Sequence, residues 1–257
     1  ATALRGYLGS ASSGVEQRGN SAIDIALWDI LGQVSGQPLY QLLGGASRDD
    51  VPIYNTCAGY RYVRERPIQA VENWGLGNGE PEGPYEDLEA FLSDAGRLAE
   101  DLLAQGISGM KIWPFDPYAE ASNGMAISEH DLDRSLEPFR KIRRAVGSAM
   151  DVMVEFHSLW DVPTAQRILR ALEEFEPYWY EDPVRSDSPS ALAQVARSTR
   201  IPVAAGETVA GRRAFRELLD REAVQVVIVD LSWCGGISEA RKIGTLAETY
   251  GIPVAPQ

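Results

Sequence analysis

Three glutamates close apolar, strand-like runs at equal intervals. Glu155 follows Met153-Val154, Glu181 follows Trp179-Tyr180 and Glu207 follows Ala205-Gly206, with spacings of 26 and 26 residues; Asp230 closes the next run after 23 more. A strand-plus-helix unit of an eight-unit parallel barrel occupies about this length, at roughly 250 residues for eight units. Equal spacing therefore places each acid at the same height on successive strands, and four carboxylates converge at the C-terminal mouth of the barrel.

The remaining pattern agrees with that reading. Strands are expected near Val51–Cys57, Gly109–Trp113, Asp151–Phe156, Tyr178–Glu181, Pro202–Ala205, Val224–Val229 and Ile252–Ala255. Amphipathic stretches fall near Tyr85–Gln105, His130–Val146, Pro163–Phe175, Pro189–Arg197, Arg212–Asp220 and Ser238–Tyr250. Alternation of this kind means a parallel α/β architecture, doubly wound or barrel. Both nucleotide signatures of doubly wound sheets, GxGxxG opening a helix and GxxxxGK[ST], are missing. Gly75-Leu76-Gly77-Asn78-Gly79 follows no clear strand and runs into Glu80-Pro81-Glu82, so it reads as a loop. The expected fold is thus a (β/α) TIM-type barrel over residues 51–257. Residues 1–50 precede it, with a helix from about Ser21 to Val34. Its expected capping box is Ser21-x-x-Asp24, and its apolar face is Ile23, Leu27, Ile30, Leu31 and Val34.

Charge and cysteine content narrow the partners. A net charge of −13 opposes any broad phosphate-binding surface, so nucleic acid is not an expected partner. No run approaches the roughly 20 apolar residues of a membrane span, and the N-terminal residues show no signal-peptide core. The expectation is a soluble cytoplasmic protein. Cys57 and Cys234 lie far apart and form no CxxC pair, so neither a disulfide framework nor a cysteine zinc site is expected. Cys57 reads as a buried small residue.

A single acid after a strand is commonly a helix cap. Consecutive buried ones crowd like charges together unless a cation neutralises them. Three monodentate oxygens leave about half of an octahedral Mg²⁺ shell open, whereas zinc recruits His or Cys. Mg²⁺ is therefore the expected metal.

The segment Ser21-Ala22-Ile23-Asp24-Ile25-Ala26-Leu27-Trp28-Asp29-Ile30, continuing through Pro38-Leu39-Tyr40-Gln41-Leu42-Leu43-Gly44-Gly45, resembles the hallmark of the mandelate racemase and muconate lactonizing enzyme group of the enolase superfamily. Glu155, Glu181 in Glu-Asp-Pro and Glu207 in Gly-Glu match that group's three magnesium ligands. The resemblance implies that residues 1–50 are part of an α+β capping domain and that the barrel lacks its last unit, the chain being a portion of a longer protein. A homo-oligomer is a further family-level expectation.

Two finer motifs resemble the acid-sugar dehydratases of this group, galactonate dehydratase most of all. Glu155-Phe156-His157 looks like an element in which the acid binds metal and the histidine protonates a leaving hydroxyl; alternation along a strand would set His157 on the same face as Glu155. Asp230-Leu231-Ser232-Trp233-Cys234-Gly235-Gly236 looks like the segment carrying the aspartate of a His-Asp dyad. Lys111, in Met110-Lys111-Ile112-Trp113, matches the first lysine of the family's Lys-x-Lys pair. Trp113 stands where the second would be, so a second-strand racemization base is not expected. Lys111 is then a candidate for binding the substrate carboxylate or stabilising an enolate. His130, at a helix start, reads as structural.

The main departure is Gln257, which occupies the position of the dyad histidine. Glutamine cannot serve as a general base, so the base is open between Lys111 and a tyrosine such as Tyr60. The resemblance implies Mg²⁺-assisted removal of the proton α to the carboxylate of a sugar acid, then loss of the β-hydroxyl with His157 as acid, giving a 2-keto-3-deoxy acid. A racemase, epimerase or cycloisomerase on the same metal site is one alternative. A non-catalytic protein that binds metal and sugar acids, motivated by Gln257, is the other.

Overall fold

The computed structural model describes residues 14–59 and 86–257. Two compact units divide the chain, one of residues 52–184 and one of residues 1–51 with 185–257.

The first unit holds α3 (Asp87–Ala104), β1 (Gly109–Ile112), α4 (Asp116–Ser122), α5 (Glu129–Val146), β2 (Asp151–Glu155), α6 (Val162–Leu172) and β3 (Trp179–Glu181). Its strands are parallel and pair in chain order, with Lys111 opposite Met153 and Glu155 opposite Glu181. A doubly wound sheet would reverse that order; a barrel keeps it. These strands are buried almost throughout, as parallel strands covered on both faces must be. Phe156 stacks on Phe115 and meets Tyr180 edge-on, while the Tyr180 hydroxyl donates to the Leu169 carbonyl at 3.0 Å. Tyr180 thus packs on the helix-covered face of β3, opposite the face that bears Glu181. The strand expected at Val51–Cys57 reduces to a single bridge, Asn55 to Met110. Asn55 instead turns the chain, its side chain accepting from the Cys57 N–H at 2.6 Å and donating to Asp87 at 2.9 Å. Two short helices, α4 and α9 below, were outside the expected pattern because neither is long enough to show helical periodicity.

The second unit comprises α1 (Gly14–Ser35), α2 (Leu39–Leu42), α7 (Pro189–Ala196), β4 (Val203–Ala205), α8 (Gly211–Asp220), β5 (Val226–Val229), α9 (Leu231–Cys234), α10 (Ile237–Thr249) and β6 (Val254–Pro256). Strands β4, β5 and β6 are again parallel and sequential. The sequence reading of α1 needs correcting. The helix begins seven residues before Ser21, so Ser21 and Asp24 are interior and cap nothing of their own helix. Its buried residues are Gln17, Ser21 and Asp24, whereas Ile23, Leu27, Ile30, Leu31 and Val34 are exposed. The polar face docks because it supplies hydrogen bonds. Ser21 Oγ accepts from the Gly235 N–H, Gln17 donates to the Cys234 carbonyl, Trp28 Nε1 donates to Ser238 Oγ, and Asp24 accepts from the Ser238 N–H at 2.9 Å. Asp24 thereby caps α10, across 214 residues of sequence.

Candidate active site and metal centre

Glu155 ends β2 and Glu181 ends β3, and register makes them direct neighbours. Both side chains are fully buried, with carboxylate oxygens within 4.8 Å of each other. Two like charges at that distance in a desolvated setting need compensation. Lys111, from the middle of β1, supplies it: Nζ donates to Glu181 Oε1 at 2.6 Å and to Glu155 Oε2 at 3.0 Å. Lys111 is 3% exposed, which excludes an ordinary surface lysine reaching for solvent. Trp179, two residues before Glu181 on the same strand face, donates its indole N–H to Glu181 Oε2 at 2.9 Å. Glu155 Oε1 accepts the backbone N–H groups of Phe156 and His157 at 3.0 and 2.8 Å.

The two acids respond oppositely. Burial pushes Glu155 upward, but Lys111 and the backbone donors outweigh it and hold the carboxyl at about 2. Burial, and then the Glu155 charge, push Glu181 well above the usual carboxylate range. Burial alone would lower Lys111; Glu155 and Glu181 together raise it above the ordinary lysine value. The Glu155 charge is thus the one the site favours, and Glu181 is pushed toward its neutral form.

A divalent cation fits this donor set. The ligand atoms are carboxylate oxygens, hard donors suited to Mg²⁺, with no histidine or cysteine that zinc would recruit. Glu155 and Glu181 already hold one positive charge between them, the Lys111 ammonium.

His157 is positioned differently from the strand-alternation argument. Strand β2 stops at Glu155, and His157 has φ +49°, followed by Ser158 at +59°. Two successive left-handed residues without glycine are strained, a condition concentrated at functional sites. The Glu155 carboxylate holds the turn by accepting the His157 N–H, and the Ser158 N–H donates to the Asp182 carbonyl at 2.8 Å. The imidazole meets the edge of Trp113 at 5.7 Å and places Nδ1 2.9 Å from Asp116 Oδ2. Asp116, in the first turn of α4, is 5% exposed. Sequence reasoning missed it because nothing in Pro114-Phe115-Asp116-Pro117 marks a contact 41 residues away. Trp179 was legible in principle, being two residues from Glu181 on a strand.

Three further expected residues, Glu207, Asp230 and Gln257, lie in the second unit. Glu207 follows β4 and is preceded by Gly206 at φ +132°, where a Cβ would come within 2.5 Å of the Ile228 carbonyl. Only glycine allows the chain to turn there. Asp230 is the N-cap of α9, accepting from the Ser232 N–H at 2.6 Å. Partial burial moves its carboxyl upward. Gln257 is exposed, and its backbone bridges the end of β5, its N–H donating to Val229 and its carbonyl accepting from Leu231. His130 is exposed on the first turn of α5. Cys57 is fully buried, and burial pushes its thiol up, as suits a packing residue. Tyr60 and Gly75–Gly79 lie outside the described residues.

Sequential parallel strands with acids at their C-terminal ends are the pattern of a (β/α) barrel protein. Residues 94–257 match the enolase C-terminal domain-like family, and residues 5–44 match the mandelate racemase / muconate lactonizing enzyme N-terminal domain. The chain belongs to the mandelate racemase and muconate lactonizing enzyme group of the enolase superfamily, with a partial TIM-type barrel and part of the capping domain. It is 31% identical over 236 residues to D-galactonate dehydratases of Ralstonia nicotianae and of Variovorax paradoxus, covering 92% of this chain and 53% of each relative. The chain therefore spans about half the length of the curated relatives it matches. An enolase of the mandelate racemase subgroup from Agrobacterium tumefaciens, solved with a succinimide residue, is 46% identical with a TM-score of 0.82, covering 100% of this chain and 61% of that one. A member of the enolase superfamily from Salmonella Typhimurium is 29% identical with a TM-score of 0.80, covering 95% and 59%. Among the described residues, no helix is long and apolar enough to cross a membrane.

Proposed function

We propose that this chain is the barrel portion of a Mg²⁺-dependent cytoplasmic dehydratase acting on a sugar acid. It removes the proton α to the carboxylate and eliminates the β-hydroxyl to give a 2-keto-3-deoxy acid. The observation that carries this reading is the buried Glu155–Glu181 pair with His157 held two residues beyond Glu155. The D-galactonate dehydratase relatives favour the dehydratase branch.

Glu155, Glu181 and Glu207 would hold the Mg²⁺, which when bound supplies a Lewis acid for the substrate carboxylate and so acidifies the α C–H. Glu207 is assigned by its equal spacing and its Gly-Glu motif. Lys111 stands among the carboxylates, placed to stabilise negative charge developing on the substrate carboxylate. His157 is the acid that protonates the departing hydroxyl. Trp113, lying against His157 where a second-strand lysine would stand, disfavours racemization through that strand. Gln257 and Asp230 occupy the dyad positions, and the general base is a residue other than Gln257.

A second reading rests on Gln257 itself: a protein that binds metal and sugar acids without turning them over. A screen of mono- and diacid sugars with Mg²⁺, read by semicarbazide detection of 2-keto products, separates the two. A keto product supports the dehydratase. Saturable sugar-acid binding without product or α-proton exchange supports the second reading, and α-exchange alone a racemase or epimerase.

A further inference from the structure

We propose that Asp116 is a positioning residue that fixes the tautomer and direction of the His157 imidazole. The inference rests on the reading of His157 as the acid and deepens it.

Three observations on one side chain carry it. Asp116 Oδ2 lies 2.9 Å from His157 Nδ1, within ordinary charge-assisted hydrogen-bond range. Asp116 is 5% exposed, so its carboxylate is kept in place by packing. His157 occupies a strained left-handed turn whose N–H is already committed to Glu155, so its backbone is fixed and the ring is left to be oriented. With Asp116 Oδ2 as the acceptor, Nδ1 carries the hydrogen of this bond. Nε2, on the other side of the ring, is turned away from Asp116. Trp113, edge-on to the ring at 5.7 Å, restricts the alternative ring orientations. A histidine held this way presents Nε2 to the leaving hydroxyl: as the acid it carries a second proton there, and giving that proton to the hydroxyl leaves water and the neutral ring protonated on Nδ1.

The test uses Asp116→Asn, which nearly preserves volume but whose amide can donate to Nδ1 and so admits the other tautomer. Nitrogen NMR of ¹⁵N-histidine-labelled protein, with the His157 signal assigned by its loss in His157→Asn, reads the tautomer without any substrate. The expected result is an Nδ1-protonated ring in the wild type and a mixed or reversed tautomer in Asp116→Asn. For dehydration, kcat is expected to fall about 10- to 1,000-fold with KM within about threefold. Asp116→Asn added to His157→Asn should cost nothing further, because Asp116 acts through the ring. An unchanged tautomer overturns the proposal, as does an equal further loss in the double variant. If the wild type turns over no sugar acid, the proposed function fails, and the NMR result still decides the positioning.

Discussion

The Glu155 carboxylate lies directly across from that of Glu181 on the neighbouring parallel strand, and both reach the same ammonium group. Neither acid could be buried alone as a charge at tolerable cost. Lys111→Met removes the cation while keeping the bulk of the side chain. Metal-free protein is expected to lose about 3–5 kcal/mol of stability, the range for breaking a buried ion pair. Urea denaturation in chelator measures the loss. Saturating Mg²⁺ should restore part of it, about 2.7 kcal/mol at 100 times the dissociation constant.

Glu181 is the acid that burial and its neighbour push toward the neutral form. Glu181→Gln should cost about 1–3 kcal/mol in metal-free protein, because both Glu181 oxygens accept, from Trp179 and from Lys111, and the Gln amide can accept from one of them while its N–H₂ faces the other. The same variant removes a proposed metal ligand, so Mg²⁺ affinity should fall at least about tenfold in calorimetric titration, the lower bound for disturbing even a supporting residue. Glu155→Gln should weaken Mg²⁺ binding as well and cost more stability, because its charge is the one that Lys111 and two backbone N–H groups stabilise.

Much of this organisation was legible in the sequence because the parallel strand ends are marked twice, by apolar runs and by evenly spaced acids. Strand β2, expected at Asp151–Phe156, ends one residue earlier, and that residue matters. His157 is set by a left-handed turn, a feature that periodicity does not encode. The α1 helix was legible as a helix, but its buried face was not. Apolar spacing pointed to Ile23, Leu27 and Ile30, whereas docking uses Gln17, Ser21 and Asp24, whose partners lie more than 200 residues away. Asp116 was invisible for the same reason, since its meaning depends on a contact between loops after different strands.

Asp24 is a cap supplied by a distant helix. Asp24→Ala should cost about 1–2 kcal/mol, the usual value of a lost N-cap, in thermal or urea unfolding. Gly236→Ala should destabilise the same junction independently, because φ is +83° and the added Cβ would meet Asp24 Oδ2 at 2.5 Å.

Gly206→Ala tests whether the turn before Glu207 sets the third ligand. The obstructing Ile228 carbonyl is backbone and cannot swing aside. A loss of about 2 kcal/mol or more is expected, with weaker Mg²⁺ binding even where the protein remains folded.

The central claim is α-proton removal followed by loss of the β-hydroxyl as water, protonated by His157. The most direct measurement is proton NMR in D₂O, with Mg²⁺ and the sugar acid turned over by the wild type, comparing wild type and His157→Asn for deuterium at the α-carbon and for keto product. The account predicts keto product from the wild type, and from His157→Asn a loss of product with α-exchange retained. Product formation by His157→Asn at the wild-type rate would contradict it.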